Sequence, residues 1–468
     1  GVHMCMHACA CMRMPMIRRT HPGRGRRDSQ FLRSMSSSSP SADLALRPLL
    51  TWLDHHHCSP KSVEVRHFAD GVRGVAATVP LRPKDPFLRI PRQVMLFCEE
   101  AKIRSLGGHA LLAIIQKHVG SLDPPSTLSL MLLHQVSQGA RAPMQPYIES
   151  LPANYTNWSY LTCAQAQRLR LPYAVEKAHC YKLRIYGVWE HLLGIMRQHP
   201  SEFAEKVCTP AWIRWAYATC MTRSCYMDTH VSLFRKDIWC LVPLGDMVNH
   251  SPRSKSECYF DPVGRQFVFS SGTACSPGEQ VFITYGDYGS FKLFKHYGFV
   301  LSDNPDEELY LRPADVFQSN PTCDQADAAA KQKLLQQHNM LPSHWTLRRE
   351  YPHFPDSMLM ALRLWACDEE EMSTSVHLRY LEGRPISASN ERRMWSLLVK
   401  VLEDTLTVLG CSNEEAEERA VALCGVWDAP LLDAGLDQDP ALSPEMDRLV
   451  DQFVEQHTLL VEELLQAT

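Results

Sequence analysis

Leu44, Leu46, Leu49, Leu50 and Leu53 recur at helical spacing in "ADLALRPLLTWL" and predict a helix where the chain first turns globular. The stretch 62–91, "SVEVRHFADGVRGVAATVPLRPKDPFLRIP", instead breaks into short apolar runs around a Gly-containing turn and reads as strands. Residues 101–235 return to long mixed segments and read as mainly helical, with "APMQPYIESLPANY" as a Pro-punctuated connector. In "SECYFDPVGRQFVFS" (256–270) the pattern predicts a hairpin turning at "DPVG", and "SPGEQVFITYG" predicts a turn followed by a strand. After about residue 305 helical spacing resumes. "MWSLLVKVLEDTLTVLG" ends in Gly410, a candidate residue just past the helix end. The last helix is expected to start with Ser443 as N-cap and Pro444 behind it. Its stripe of Leu449, Val450, Phe453, Val454, Leu460, Val461 and Leu464 predicts helix packing rather than chemistry.

Composition narrows the class. With 45% hydrophobic and 21% charged residues over 468 positions, the chain is an ordinary globular one. A net charge of −4 gives no basis for nucleic-acid binding by bulk electrostatics. No apolar run reaches the roughly 18 residues of a membrane span. The 17 cysteines are scattered and unpaired in sequence, which predicts reduced thiols, a cytoplasmic or nuclear setting and no metal site. Residues 1–42 differ, with seven arginines, one acid and "SMSSSSPS"; they read as a disordered basic tail or an organelle transit peptide. Three histidines in "DHHHC" are consecutive and read as a polar loop.

"LGDMVNHSP" (244–252) contains an N-x-S sequon at Asn249, and Asn154 and Asn157 head two more. A reducing compartment makes all three incidental. No phosphate-binding loop, H-E-x-x-H helix or nucleophile elbow is present. A more specific grouping runs in order along the chain: "GVRGVAA" (71–77), "MQPYIESLP" (144–152), "MTRSC" (221–225), "LGDMVNHSP", "GEQVFITYG" (278–286) and "HYGFV" (296–300).

This set resembles the SET-domain methyltransferases, in particular the subgroup of the Rubisco large-subunit lysine methyltransferase and its animal relatives. The resemblance implies an α+β fold: a β-rich SET core from residues 43–100 and 236–305, a helical insert at 101–235, and an all-helical substrate-binding domain at 306–468. It implies methyl transfer from S-adenosylmethionine to a lysine amine of a protein substrate, by a monomer that needs no membrane. Such an in-line displacement relies on positioning more than on an acid/base dyad.

The roles implied fall on matching positions. Tyr285 is the catalytic tyrosine. Gly71, Val72 and Arg73 form the turn at the methionine end of the cofactor. Arg223 and Asp246 belong to the cofactor shell, and Asn249 and His250 hold the cofactor, the histidine through its backbone. Tyr297, Gly298 and Phe299 lie near the adenine. Cys225, with Tyr285 and Phe299, lines the substrate channel. Read without the resemblance, Asp246 is an N-cap for a helix starting at Met247, Tyr285 and His250 are core aromatics, and Arg223 pairs with a surface acid. The actin-histidine methylating relative carries Asn where this chain has Cys225 and Trp where it has Gly245. That leaves lysine as the default acceptor, with histidine transfer or a catalytically silent binding module as alternatives.

Overall fold

The computed structural model describes residues 42–468 except 59, 70, 228–237, 319–324, 374, 435 and 437–441; at 42–45, 325, 375–377, 430, 431 and 442 it describes the backbone alone. The expectations for the basic tail therefore lie outside the described residues. The chain divides into two compact units. One holds the residues up to Tyr155 and Ile185–Asp287; the other holds Thr156–Arg184, Tyr288–Ala434 and the last helix.

The described residues of the first unit form ten short strands. β1 (Val63–His67) and β2 (Arg73–Ala77) form the hairpin expected from the alternation, with Val63 facing Ala77 and His67 facing Arg73. β3 (Pro86–Pro91), β4 (Leu96–Phe97), β5 (Ser224–Met227), β6 (Ile238–Leu241), β7 (Asn249–His250), β8 (Glu257–Asp261), β9 (Gln266–Ser270) and β10 (Gln280–Ile283) follow. They make three small sheets with orders β1-β2-β10-β7, β3-β9-β8 and β4-β6-β5. The β8–β9 hairpin turns at "DPVG" because the Asp261 carboxylate accepts the N–H groups of Val263 and Gly264. Sequence-distant β2 and β10 pair antiparallel, and β10 then pairs parallel with β7.

Helices brace these sheets. Pro124–Gln138 is started by Asp123, whose carboxylate accepts the Ser126 N–H, and Pro210–Arg223 by Thr209, whose hydroxyl accepts the Trp212 N–H. The two pack on each other and bury Leu128, Met131, Trp215 and Cys220. Burying several such side chains, each worth about 1.5–3 kcal/mol, holds the helix end that presents Arg223.

The second unit is mainly helical, but its described residues include a two-stranded antiparallel ladder, β11 (Glu308–Leu311) with β12 (Trp345–Arg348), which corrects the expectation of an all-helical domain at 306–468. Helix Ala388–Leu409 packs on the last helix, Leu442–Ala467. Two expected helix ends are corrected here. Ser443 is not an N-cap, because the helix already includes Leu442. Gly410 keeps a right-handed φ of −84°, so it ends its helix without a left-handed turn. The expected stripe on the last helix is buried except for half-buried Val454.

Candidate active site

β6 leads into Leu244, a buried residue whose φ of +70° lies in the left-handed region disfavoured for a branched side chain. Strain of this kind persists only where the surroundings impose it. It turns the chain into a 3-10 turn, Gly245–Met247, that points the Asp246 carboxylate inward. The carboxylate is fully buried. Its Oδ2 accepts the Tyr147 hydroxyl at 3.0 Å and faces Arg223 Nη1 at 3.2 Å. The same Nη1 donates to the Asp246 main-chain oxygen at 2.8 Å. Burial works to lower the Arg223 pKa, but Asp246, Tyr155 and Tyr147 outweigh it, and the net direction is upward. The N-cap reading of Asp246 is thus overturned: it sits inside the turn, and its carboxylate serves a guanidinium and a phenol.

The Gly-containing turn meets this group through β2. Gly71 has φ +79°, and a Cβ there would meet nothing within 4 Å, so its glycine answers to conformation rather than to a protein neighbour. Val72 is half-exposed and Arg73 is partly buried, donating to the Ser150 main-chain oxygen at 3.1 Å. Burial, then the Arg223 charge, lowers the Arg73 pKa. Sequence reasoning missed Gly74. A Cβ there would lie 2.4 Å from Gln280 Nε2 and 2.8 Å from Asn249 Nδ2. That space lets Asn249 Nδ2 donate to the Arg73 main-chain oxygen at 3.0 Å. An amide tied into a sheet is no sugar acceptor, and Asn157 is fully buried.

Tyr285 follows β10. Its main-chain N–H donates to His250 Nδ1 at 3.0 Å, its ring stacks on the imidazole at 5.1 Å, and its hydroxyl donates to the Val248 main-chain oxygen at 2.8 Å. Burial pushes the Tyr285 hydroxyl above the usual phenol range, with Arg223 pulling the other way. Burial also lowers the His250 pKa to about 4, so its ring is a neutral acceptor near neutrality. Burial raises the Cys225 thiol well above its ordinary value, which leaves it no nucleophile.

These seven positions from Arg73 to Tyr285, with Gly71 and Val72, lie in the first unit. Tyr297, Gly298 and Phe299 belong to the second. There Gly298, at φ +84°, ends helix Ser290–Tyr297, and its carbonyl accepts the Thr156 hydroxyl at 2.6 Å. Tyr297 stacks on Tyr288 and meets Phe299, each at 6.3 Å between centroids. Tyr147 and Val248 are the partners that sequence reasoning did not name. The "MQPYIESLP" motif contained the first, without any signal that its hydroxyl would reach Asp246.

The SET-domain family model matches residues 72–286, from the turn beside Gly71 to the residue after Tyr285, and the Rubisco LSMT substrate-binding model matches 324–422. The chain is a SET-domain methyltransferase of the Rubisco LSMT-like subgroup. Among other SET proteins it is 25% identical over 387 residues to SET domain-containing protein 4 of Mus musculus, covering 81% of this chain and 85% of the relative. It is 25% identical over 395 residues to the actin-histidine N-methyltransferase of Drosophila melanogaster, covering 78% and 70%. Rubisco LSMT bound to sinefungin and monomethyllysine shares the fold, with TM-score 0.59 at 18% identity over 91% of this chain and 92% of that one. The SET domain of LSMT bound to lysine and AdoHcy gives 0.58 at 18% identity, over 91% and 93%. The expected α+β class, with a SET core and a Rubisco-type domain, is the fold observed.

Proposed function

We propose that this SET protein transfers a methyl group from S-adenosylmethionine to a lysine amine of a protein substrate. The observation that carries the reading is the setting of Tyr285. Its hydroxyl is buried, protonated and held by a main-chain carbonyl, beside a carboxylate already neutralised by Arg223. Such a site orients and shields; it is not built to shuttle protons.

The residues present fit the cofactor. Asp246 Oδ1 and Arg223 Nε are buried polar atoms without a hydrogen-bond partner. The space in front of Gly71 is open, and Asn249 is locked where it can steady the same turn. Gly71, Val72, Arg73, Arg223, Asp246, Asn249 and His250 would hold S-adenosylmethionine. When bound, the cofactor supplies an electrophilic methyl on a sulfonium. The amine lone pair would form the N–C bond as the S–C bond breaks, sulfur would keep that electron pair, and the product would leave as the methylammonium, the one proton having gone to solvent before attack. The helices matched at 324–422 dock the protein that presents the lysine.

Lysine is favoured over histidine by two positions. Cys225 offers a weak thiol donor where the actin-histidine relative has an amide. At Gly245 a Cβ would lie 2.4 Å from the Phe269 ring, so the place of that relative's Trp is filled from β9. Histidine transfer stays the second reading because several relatives bear that activity in their names. The test is transfer of labelled methyl to lysate proteins by wild type and Tyr285→Phe. Label that depends on Tyr285 supports an enzyme. Cofactor binding with no Tyr285-dependent label would make the chain a silent binding module.

A further inference from the structure

Helix Gln145–Ser150 is only six residues long and supplies none of the residues assigned to the cofactor. It is nonetheless tied to the elements that do. A helix leaves its last carbonyls without partners, and that of Ser150 accepts Arg73 Nη1 at 3.1 Å. Just beyond it, the Pro152 main-chain oxygen accepts Trp215 Nε1 at 2.8 Å, from the helix that ends in Arg223. One turn back, the Tyr147 hydroxyl donates to Asp246 Oδ2 at 3.0 Å. Ser150 Oγ donates to the Tyr147 main-chain oxygen at 2.7 Å, which closes the turn between the Arg73 and Asp246 contacts. Tyr147 and Ser150 are buried, and all these residues lie in the first unit.

We propose that Tyr147 is a positioning residue for the cofactor, acting through Asp246, and that its helix braces the Arg73 turn against the Asp246 turn. The inference rests on the assignment of Arg73, Arg223 and Asp246 to S-adenosylmethionine. The Arg73 and Arg223 guanidiniums both interact with the Asp246 carboxylate and repel one another. The brace opposes their spreading: it accepts from Arg73 at one end and donates to the carboxylate that faces Arg223 at the other. The hydroxyl also fixes which carboxylate oxygen is used. Asp246 Oδ2 takes both Tyr147 and Arg223, so Oδ1, buried and without a hydrogen-bond partner, stays open. Burial, with the Asp246 charge next, raises the Tyr147 pKa well above its ordinary value, so the phenol keeps its proton and donates. Without that donor the carboxylate is free to turn, and Oδ1 can close on Arg223 instead.

The test is calorimetric titration of the full chain with S-adenosylhomocysteine. Tyr147→Phe keeps the buried ring and loses only the hydroxyl. It is expected to bind about tenfold more weakly than wild type, as loss of a hydrogen bond to a charged group does. Asp246→Ala is expected to weaken binding too. The double variant Tyr147→Phe/Asp246→Ala should bind as Asp246→Ala does, because the hydroxyl acts through the carboxylate, an outcome that a purely structural role for the ring would not give. Tyr147→Phe binding within about twofold of wild type, or losses that multiply in the double variant, overturns the inference. A second measurement needs no variant. The Ile148 and Leu151 amides, hydrogen-bonded within the brace, should exchange with deuterium about threefold more slowly once S-adenosylhomocysteine is bound, since both ends are then held. Unchanged exchange overturns the brace. Arg73→Met and Asp246→Ala also test the assignment beneath the inference. If both bind as wild type, the assignment fails and the inference with it; if both weaken while Tyr147→Phe does not, only the inference fails.

Discussion

Asp246→Asn removes one charge from a buried pair and little else. The Asp246 side chain is inaccessible, and the Arg223 side chain is 16% exposed. Removing one partner of such a pair costs about 3–5 kcal/mol, because the other charge stays desolvated. Arg223 keeps its 2.8 Å bond to the Asp246 main-chain oxygen, which argues for the lower end, about 3 kcal/mol. A unit of this size shifts its melting temperature by about 2–4 °C per kcal/mol, so a fall of roughly 6–12 °C is expected. Scanning calorimetry measures it. The double variant Arg223→Met/Asp246→Leu should recover at least half of the loss, since no orphan charge remains. An Asp246→Asn protein melting within about 2 °C of wild type, or a double variant whose loss is the sum of its singles, would refute the reasoning.

His250 makes stability depend on pH. Its pKa falls from 6.5 to about 4 on folding, because burial disfavours the imidazolium. The unfolded chain then binds the proton first as pH drops, so stability is full above 6.5 and is lost between 6.5 and 4. The loss is worth about 3 kcal/mol, and it should vanish from urea titrations of His250→Gln compared with wild type. Gly74→Ala places a methyl against Gln280 and Asn249 and should cost about 1–3 kcal/mol in the same titrations. It should also weaken cofactor binding severalfold by calorimetry, while Gly194→Ala, where a Cβ meets nothing, should bind as wild type.

The elements legible in the sequence were those whose signal is local. Alternation around "DPVG" predicted β8–β9 because the turn chemistry sits within the hairpin itself. The last helix was visible from its apolar stripe, yet its start was misplaced, since Ser and Pro can both occupy a first turn. The β10–β7 pairing joins residues far apart through a strand only two residues long, and no periodicity can announce that. The candidate site was legible as motifs and not as contacts. Asp246 looked like a cap because an acid before a helical-looking stretch usually is one. Its partners, Tyr147 and Arg223, come from two separate helices. Gly74 was overlooked beside Gly71 because its need is steric and set by Gln280 and Asn249, which arrive from elsewhere in the chain.

The central claim is that a neutral lysine amine, positioned by Tyr285, takes the methyl group. The most direct measurement is mass spectrometry of the residue that acquires a deuterated methyl when the wild-type chain and labelled S-adenosylmethionine meet undigested lysate. The account predicts label on lysine side chains, absent with Tyr285→Phe. Label confined to histidine, or label on lysine that persists undiminished in Tyr285→Phe, would contradict it.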